Sequence, residues 1–130
     1  MTFNKKIYNK EYQKKYYKSH YFKGSKLYKQ LGEAHKKYHL SLRKKAIDVL
    51  GGPICANCGC AVYRILEINH RDGGGNKEKR IFKHRADFYR SIIKGKVNIV
   101  NYNILCRVCN ISHYINLILG IKGHTIIWKG

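Results

Sequence analysis

Apolar and aromatic positions in the first fifty residues recur at helical steps. Tyr8, Tyr12 and Tyr16 stand four apart, on one face of a helix. Gly24-Ser25 interrupts this segment, and Ser25 is placed to cap a second helix. Leu27, Leu31, Ala34, Tyr38, Leu42, Ala46 and Leu50 then form a stripe at three- and four-residue steps, closed by Gly51-Gly52-Pro53. From Cys55 the pattern changes. "VYRILEINH" (62–70) is apolar and rich in β-formers, and predicts a strand. "RDGGGNKEKR" (71–80) predicts a loop. "HRADFYRSIIKGK" (84–96) predicts a short helix with Phe88, Ile92 and Ile93 inward and Gly95 near its end. "VNIVNYNIL" (97–105) predicts a second strand, and "NISHYINLIL" (110–119) a helix closed by Gly120. The tail "HTIIWKG" (124–130) adds a short strand or packs across the core through Trp128. The division expected is a helical extension over 1–50 and a second domain over 51–130.

Charge changes this picture. The chain of 130 residues carries a formal +20 at pH 7. A packed core has no use for such self-repulsion, and nucleic acid is the polyanion that neutralises it. Lysines interleave with tyrosines throughout residues 1–50. In the second helix the rings are read as helix packing. The first helix has too little chain around it to bury so many, so its face with Lys14, Lys15 and Lys18 is expected on phosphates and bases. The longest apolar run, "INLILGI", is far shorter than the ~20 residues a span requires, and "MTFNKKIYNK" has no apolar core of a signal peptide. No membrane partner is expected, and the protein is expected to act inside a cell, where thiols stay reduced.

Five cysteines in that setting point to a metal. Cys55-x-x-Cys58 and Cys106-x-x-Cys109 are two knuckles, each able to bring two thiolates to one ion. Together they predict a closed structural zinc site that steadies a domain with little apolar core. Cys60 is either a spare buried thiol or a competing ligand in place of Cys58. Redox use of the two pairs would need a thioredoxin-like βαβ context, which the pattern lacks.

Between and beside the knuckles lie Asn69, His70, Asn101, Asn103, Asn110 and His113. "CANCG", "LEINHRDGGG" and "NYNILCRVCN", in this order, resemble the HNH or ββα-metal endonucleases, most closely their small zinc-bearing phage and homing-type members. "AIDVLGG" just before the first knuckle also looks like such phage proteins. The resemblance covers about residues 45–118. It implies an α+β fold with a ββα-metal core stapled by a four-cysteine zinc site, and a metal-dependent DNA endonuclease, nicking or cutting duplex DNA. His70 matches the general base that activates water. Asn69 matches a divalent-metal ligand that is usually Asp. Asn101 matches the middle Asn that positions the histidine-bearing loop. Asn110 matches the last motif position, a second ligand, with His113 one turn further on as a fallback. The catalytic ion implied is Mg²⁺ or Mn²⁺.

The departure is Asn69, a neutral amide where a hard cation prefers charged oxygen. Asp72 is the nearby carboxylate that could replace it. Gly73, Gly74 and Gly75 let a phosphate backbone come close and permit positive φ, and Lys77, Lys79 and Arg80 are placed to meet neighbouring phosphates. His20, His35 and His39 are read as surface or DNA-facing residues, His84 as the start of the short helix, and His124 as part of the tail; none has ligand spacing to another histidine. Two other classes stay open: a zinc-bearing DNA-binding protein whose nuclease site has decayed, and an RNA-binding protein using its tyrosine-rich arm. Target sequence and oligomeric state, monomer or homodimer, are not encoded in these motifs.

Overall fold

The computed structural model describes residues 5–123 and 125–129; His124 and the side chain of Tyr8 lie outside this set. The architecture is α+β, with two antiparallel strands and five α-helices among the described residues. The chain divides into two compact units between Leu40 and Ser41. That boundary falls inside the second helix, not at the change of composition near residue 50, because the last turns of the helix carry the side chains that pack.

The first unit holds α1 (Lys5–His20) and the first part of α2 (Lys26–Val49). Ser25 caps α2, its Oγ accepting from the Tyr28 main-chain N–H at 3.1 Å. None of the described side chains before Ser41 is buried. Tyr28 and Tyr38 are 40% and 46% exposed, which overturns the packing role expected for the rings of the second helix. The apolar stripe is fully buried only at Ala46, beside its buried neighbour Ile47. A stripe with the right period still needs something to face, and here only its end finds it.

The second unit begins with the end of α2. Gly51 and Gly52 both take positive φ, and the Gly52 N–H reaches back to the Ile47 carbonyl at 3.0 Å, which stops the helix. The strands are shorter than the apolar runs that announce them. Tyr63–Ile65 and Ile99–Asn101 form 3₁₀ turns, and only Leu66–His70 (β1) and Tyr102–Cys106 (β2) pair. The second turn is held locally by the Asn98 carboxamide, which accepts from the Val100 N–H at 3.2 Å and competes with the ladder. Register runs from Leu66 opposite Cys106 to His70 opposite Tyr102. The two-residue side-chain period therefore puts Glu67, Asn69, Asn103 and Leu105 on one face, and Ile68, His70, Tyr102 and Ile104 on the other.

The stretch expected as a loop after His70 folds further than its glycines suggest. Gly73 and Gly74 turn the chain at φ of 75° and 97°, and helix α3 (Gly75–Ile81) starts at once. Glu78 lies in its first turn, where a carboxylate suits the helix dipole. Helix α4 (Arg85–Ile93) follows. Helix α5 runs from Arg107 to Ile118, three residues earlier at its start than the sequence pattern indicates, because Cys106 caps it: Sγ accepts from the Cys109 N–H at 3.4 Å. No strand forms among the described residues of the tail; Ile126 packs against the core and Trp128 stays exposed.

Two small clusters form the core. One joins Ile47, Leu66, Ile104 and Leu105 to Cys55, Cys60, Cys106 and Cys109. The other joins Ala46 of α2 to Phe88, Tyr89 and Ile92 of α4. Leu50 and Ile68 touch both. Arg43 ties α2 to the outer edge of β1: it donates to the carbonyls of Leu66 and Tyr63 and lies 4.6 Å over the Tyr63 ring. No helix among the described residues is long and apolar enough to cross a membrane.

Candidate functional site

The four knuckle sulfurs converge. Sγ atoms of Cys55, Cys58, Cys106 and Cys109 all lie within 4.8 Å of one another. The Cys58–Cys106 separation is 3.7 Å. Four thiolates on one tetrahedral zinc, at about 2.3 Å each, sit about 3.8 Å apart, so the cluster has the dimensions of that shell. The donor chemistry agrees. Burial pushes the Cys109 thiol up to about 12 and also raises Cys58. At Cys55 burial acts in the same sense, but main-chain hydrogen bonds from Cys58, Cys106 and Asn57 outweigh it and bring the thiol down to about 6. Four sulfurs this close cannot all ionise without a cation. The Asn57 carboxamide donates to the Cys109 sulfur at 3.3 Å, as a group steadying a thiolate would. Cys60 is buried outside the four and belongs to the core.

The cluster fixes the strand pair. The Ala56 N–H donates to the Ile104 carbonyl at 2.8 Å, joining the first knuckle to β2. The second knuckle is the β2–α5 junction itself. Helix α5 packs against both strands. Whatever stands at the far end of β1 is therefore held from its other end by sulfur.

His70 stands there. Its Nε2 lies 2.7 Å from Glu78 Oε2, and the Tyr102 hydroxyl donates to the same oxygen at 2.7 Å. The His70 and Glu78 side chains are 21% and 15% exposed, so this is a half-buried pair. Burial, and then the hydrogen bond to Glu78, push the Tyr102 phenol up, which keeps it a neutral donor. The imidazole is walled by Phe88 (centroids 6.3 Å, 12° between planes) and Tyr102 (5.0 Å, 62°). Gly75 lies beneath it: a Cβ there would sit 3.5 Å from Nδ1. With Nε2 engaged by a carboxylate, the neutral ring carries its lone pair on Nδ1.

The amides divide between positions. Asn69 is buried at 6% exposure, and its Nδ2 donates to Asn103 Oδ1 at 2.9 Å. The Asn110 Nδ2 donates to Glu67 Oε2 at 2.7 Å, and Glu67 also accepts from Arg107 Nε at 3.0 Å. In both amides the carbonyl oxygen is left without a hydrogen-bond partner among the described residues. Asn69, Asn110 and His113 line one groove with His70 and Gly73–Gly75. Asn101 does not join them. It is exposed in the 3₁₀ turn before β2, and it reaches the histidine-bearing loop through its main chain, the carbonyl accepting from the Arg71 N–H at 2.9 Å. The asparagine facing Asn69 across the strands is Asn103. Asp72 is exposed and lines neither groove.

His70, Ile68, Gly75 and Lys79 also border a second groove, about 820 Å³ in volume. Arg43, Arg64, Arg85, Arg107 and Lys83 rim it. Lys77 lines the first groove and Lys79 both, whereas Arg80 lines neither. Lys14, Lys15 and Lys18 are exposed on α1, in the other unit. The residues that motif reading passes over are Glu78, Tyr102 and the arginines. A signal for the last was present: the chain has no arginine before Arg43. Beyond the cysteine cluster, no group of three or more His, Cys, Asp or Glu able to hold an ion occurs among the described residues. No family model, no curated protein and no solved structure matches this chain.

Proposed function

We propose that the second unit is a metal-dependent endonuclease that hydrolyses phosphodiester bonds of duplex DNA, with His70 as general base. The observation that carries this reading is an imidazole held on Nε2 by a half-buried carboxylate and flanked by an arginine-rimmed groove. The resemblance of the motifs around it to the HNH endonucleases adds to it. Arginines suit the phosphates of a polynucleotide, which they grip bidentately. Nδ1 takes a proton from the attacking water, and the imidazolium formed faces the Glu78 carboxylate. Tyr102 holds that carboxylate in place. The water's oxygen bonds to phosphorus as the bond to the 3′ oxygen breaks.

Asn69 and Asn110 are the residues that would hold a divalent ion, since both line one groove and each keeps a carbonyl oxygen without a partner among the described residues. When bound, Mg²⁺ or Mn²⁺ would neutralise charge building on the phosphate and the leaving oxygen. Two neutral amides make a weak site for a hard cation, so substrate phosphate must complete it. That same neutrality favours the second reading, a zinc-stapled DNA-binding module without hydrolysis.

The test is incubation of the zinc-loaded protein with supercoiled plasmid across a Mg²⁺ and Mn²⁺ series. Nicked or linear product is expected, with Asn69→Asp cleaving faster than wild type at low Mg²⁺. No product with either ion removes the hydrolytic reading; an unchanged metal dependence in Asn69→Asp removes Asn69 as a ligand. Glu78→Gln retains an acceptor for Tyr102 but loses the charge that steadies the imidazolium. It is expected to lower the cleavage rate about tenfold or more with little change in DNA affinity. Equal rates would show that the contact to Glu78 is only structural.

A further inference from the structure

The described residues of the first unit form no core, yet they carry a continuous series of rings. On α1, Tyr12 stacks on Tyr16 (centroids 6.5 Å, 24° between planes) and Tyr16 on His20 (4.3 Å, 14°). Edge contacts extend the series from Tyr16 to Tyr17 and from Tyr17 to Tyr21, each with centroids 6.1 Å apart. Tyr21 in turn meets Tyr28 of α2 at 5.2 Å. Tyr12 and Phe22 are each 61% exposed, and no ring in the series is buried. Aromatic surface left open on this scale marks a binding face.

Lys10, Lys14, Lys15, Lys18 and Lys23 stand among these rings, all exposed. The only acidic residues in the first forty are Glu11 and Glu33. The partner is therefore an anion along its whole length. All the cations of this unit are lysines, which follow a phosphate chain as point charges but lack the planar fork that reads base edges. In a duplex both faces of each base are covered by neighbours, so exposed rings gain nothing from it. An unpaired base offers its face to any ring, whatever its identity.

We propose that residues 5–40 form a binding site for single-stranded nucleic acid, with Tyr12, Tyr16 and Tyr21 stacking on bases and the interleaved lysines on phosphates. The site is independent of the His70 groove and of whether that groove hydrolyses anything. It is tested by binding alone. Labelled oligothymidylate, oligouridylate and a duplex of equal length are titrated with the full zinc-loaded chain, without added divalent ions.

The double variant Tyr12→Leu, Tyr16→Leu keeps helix-forming, apolar side chains but no rings. It is expected to lose about tenfold or more in affinity for the single strands while duplex affinity changes less than about twofold. Tyr12→Phe, Tyr16→Phe keeps the rings and is expected to bind like wild type, with circular dichroism checking that helix content holds in both. An unchanged single-strand affinity in the leucine variant overturns the proposal. So does an equal loss on duplex, which would make this unit a duplex-binding arm. The two oligomers distinguish DNA from RNA as the strand preferred.

Discussion

Removing the metal is expected to unfold residues 41–129, not merely loosen one turn. The largest fully buried side chains in that unit are Ile47, Leu66, Ile92, Cys60 and Cys109, and two of those five are cysteines. A core so small supplies only part of an ordinary domain stability of about 5–15 kcal/mol. Structural zinc in small domains contributes about 10–16 kcal/mol, which exceeds the whole net stability, so metal binding and folding become one transition. Chelation, or Cys109→Ser, should abolish the cooperative thermal melt and the near-ultraviolet dichroism of the packed rings. Cys60→Ala is the control. It sits in the same core cluster but outside the four sulfurs, so it should keep one zinc per chain and lose only a few degrees of melting temperature. A chelated protein that melts as before, or a Cys60 variant that loses its zinc, would refute the clamp.

The second large effect is expected at His70. Its truncation to alanine removes the proposed base and leaves the rim of Arg43, Arg64, Arg85 and Arg107 untouched. A positioned general base contributes roughly 10²- to 10⁴-fold to a rate, so cleavage by His70→Ala should fall by about that factor. In the proposed nuclease, DNA affinity would come mainly from the cations around the site, so it should change less than about twofold. The contrasting variant is Arg64→Ala combined with Arg85→Ala, expected to weaken binding and flatten its salt dependence. Parallel loss of binding and cleavage in His70→Ala would make the histidine a strand-end prop.

Much of this arrangement was legible along the chain, and the exceptions have physical reasons. The zinc set is readable because a knuckle is a local object: two cysteines three apart share one turn wherever they occur. The position of His70 at a strand end follows from the apolar run that precedes it. Glu78 was not readable, because three glycines and a charge run look like a flexible loop. What makes that stretch a helix is the pair of positive-φ turns at Gly73 and Gly74, followed by a carboxylate that bonds both His70 and Tyr102. Asn101 was readable in position but not in the atoms it uses: it bonds the histidine-bearing loop through its main chain. Spacing from Cys106 finds the position, but the 3₁₀ turn before β2 exposes the side chain, and the asparagine opposite Asn69 is Asn103. The rings of the first unit were only half readable: helical period predicts a face but not whether anything covers it.

The most direct measurement is the chemistry of the ends produced. Supercoiled plasmid is incubated with the zinc-loaded protein and Mn²⁺, the nicked circle is purified, and DNA ligase is added. Nicks that reseal are expected, because expulsion of the 3′ oxygen leaves a 3′-hydroxyl beside a 5′-phosphate. A plasmid that the protein binds but never nicks, or nicks whose ends ligase rejects, would contradict it.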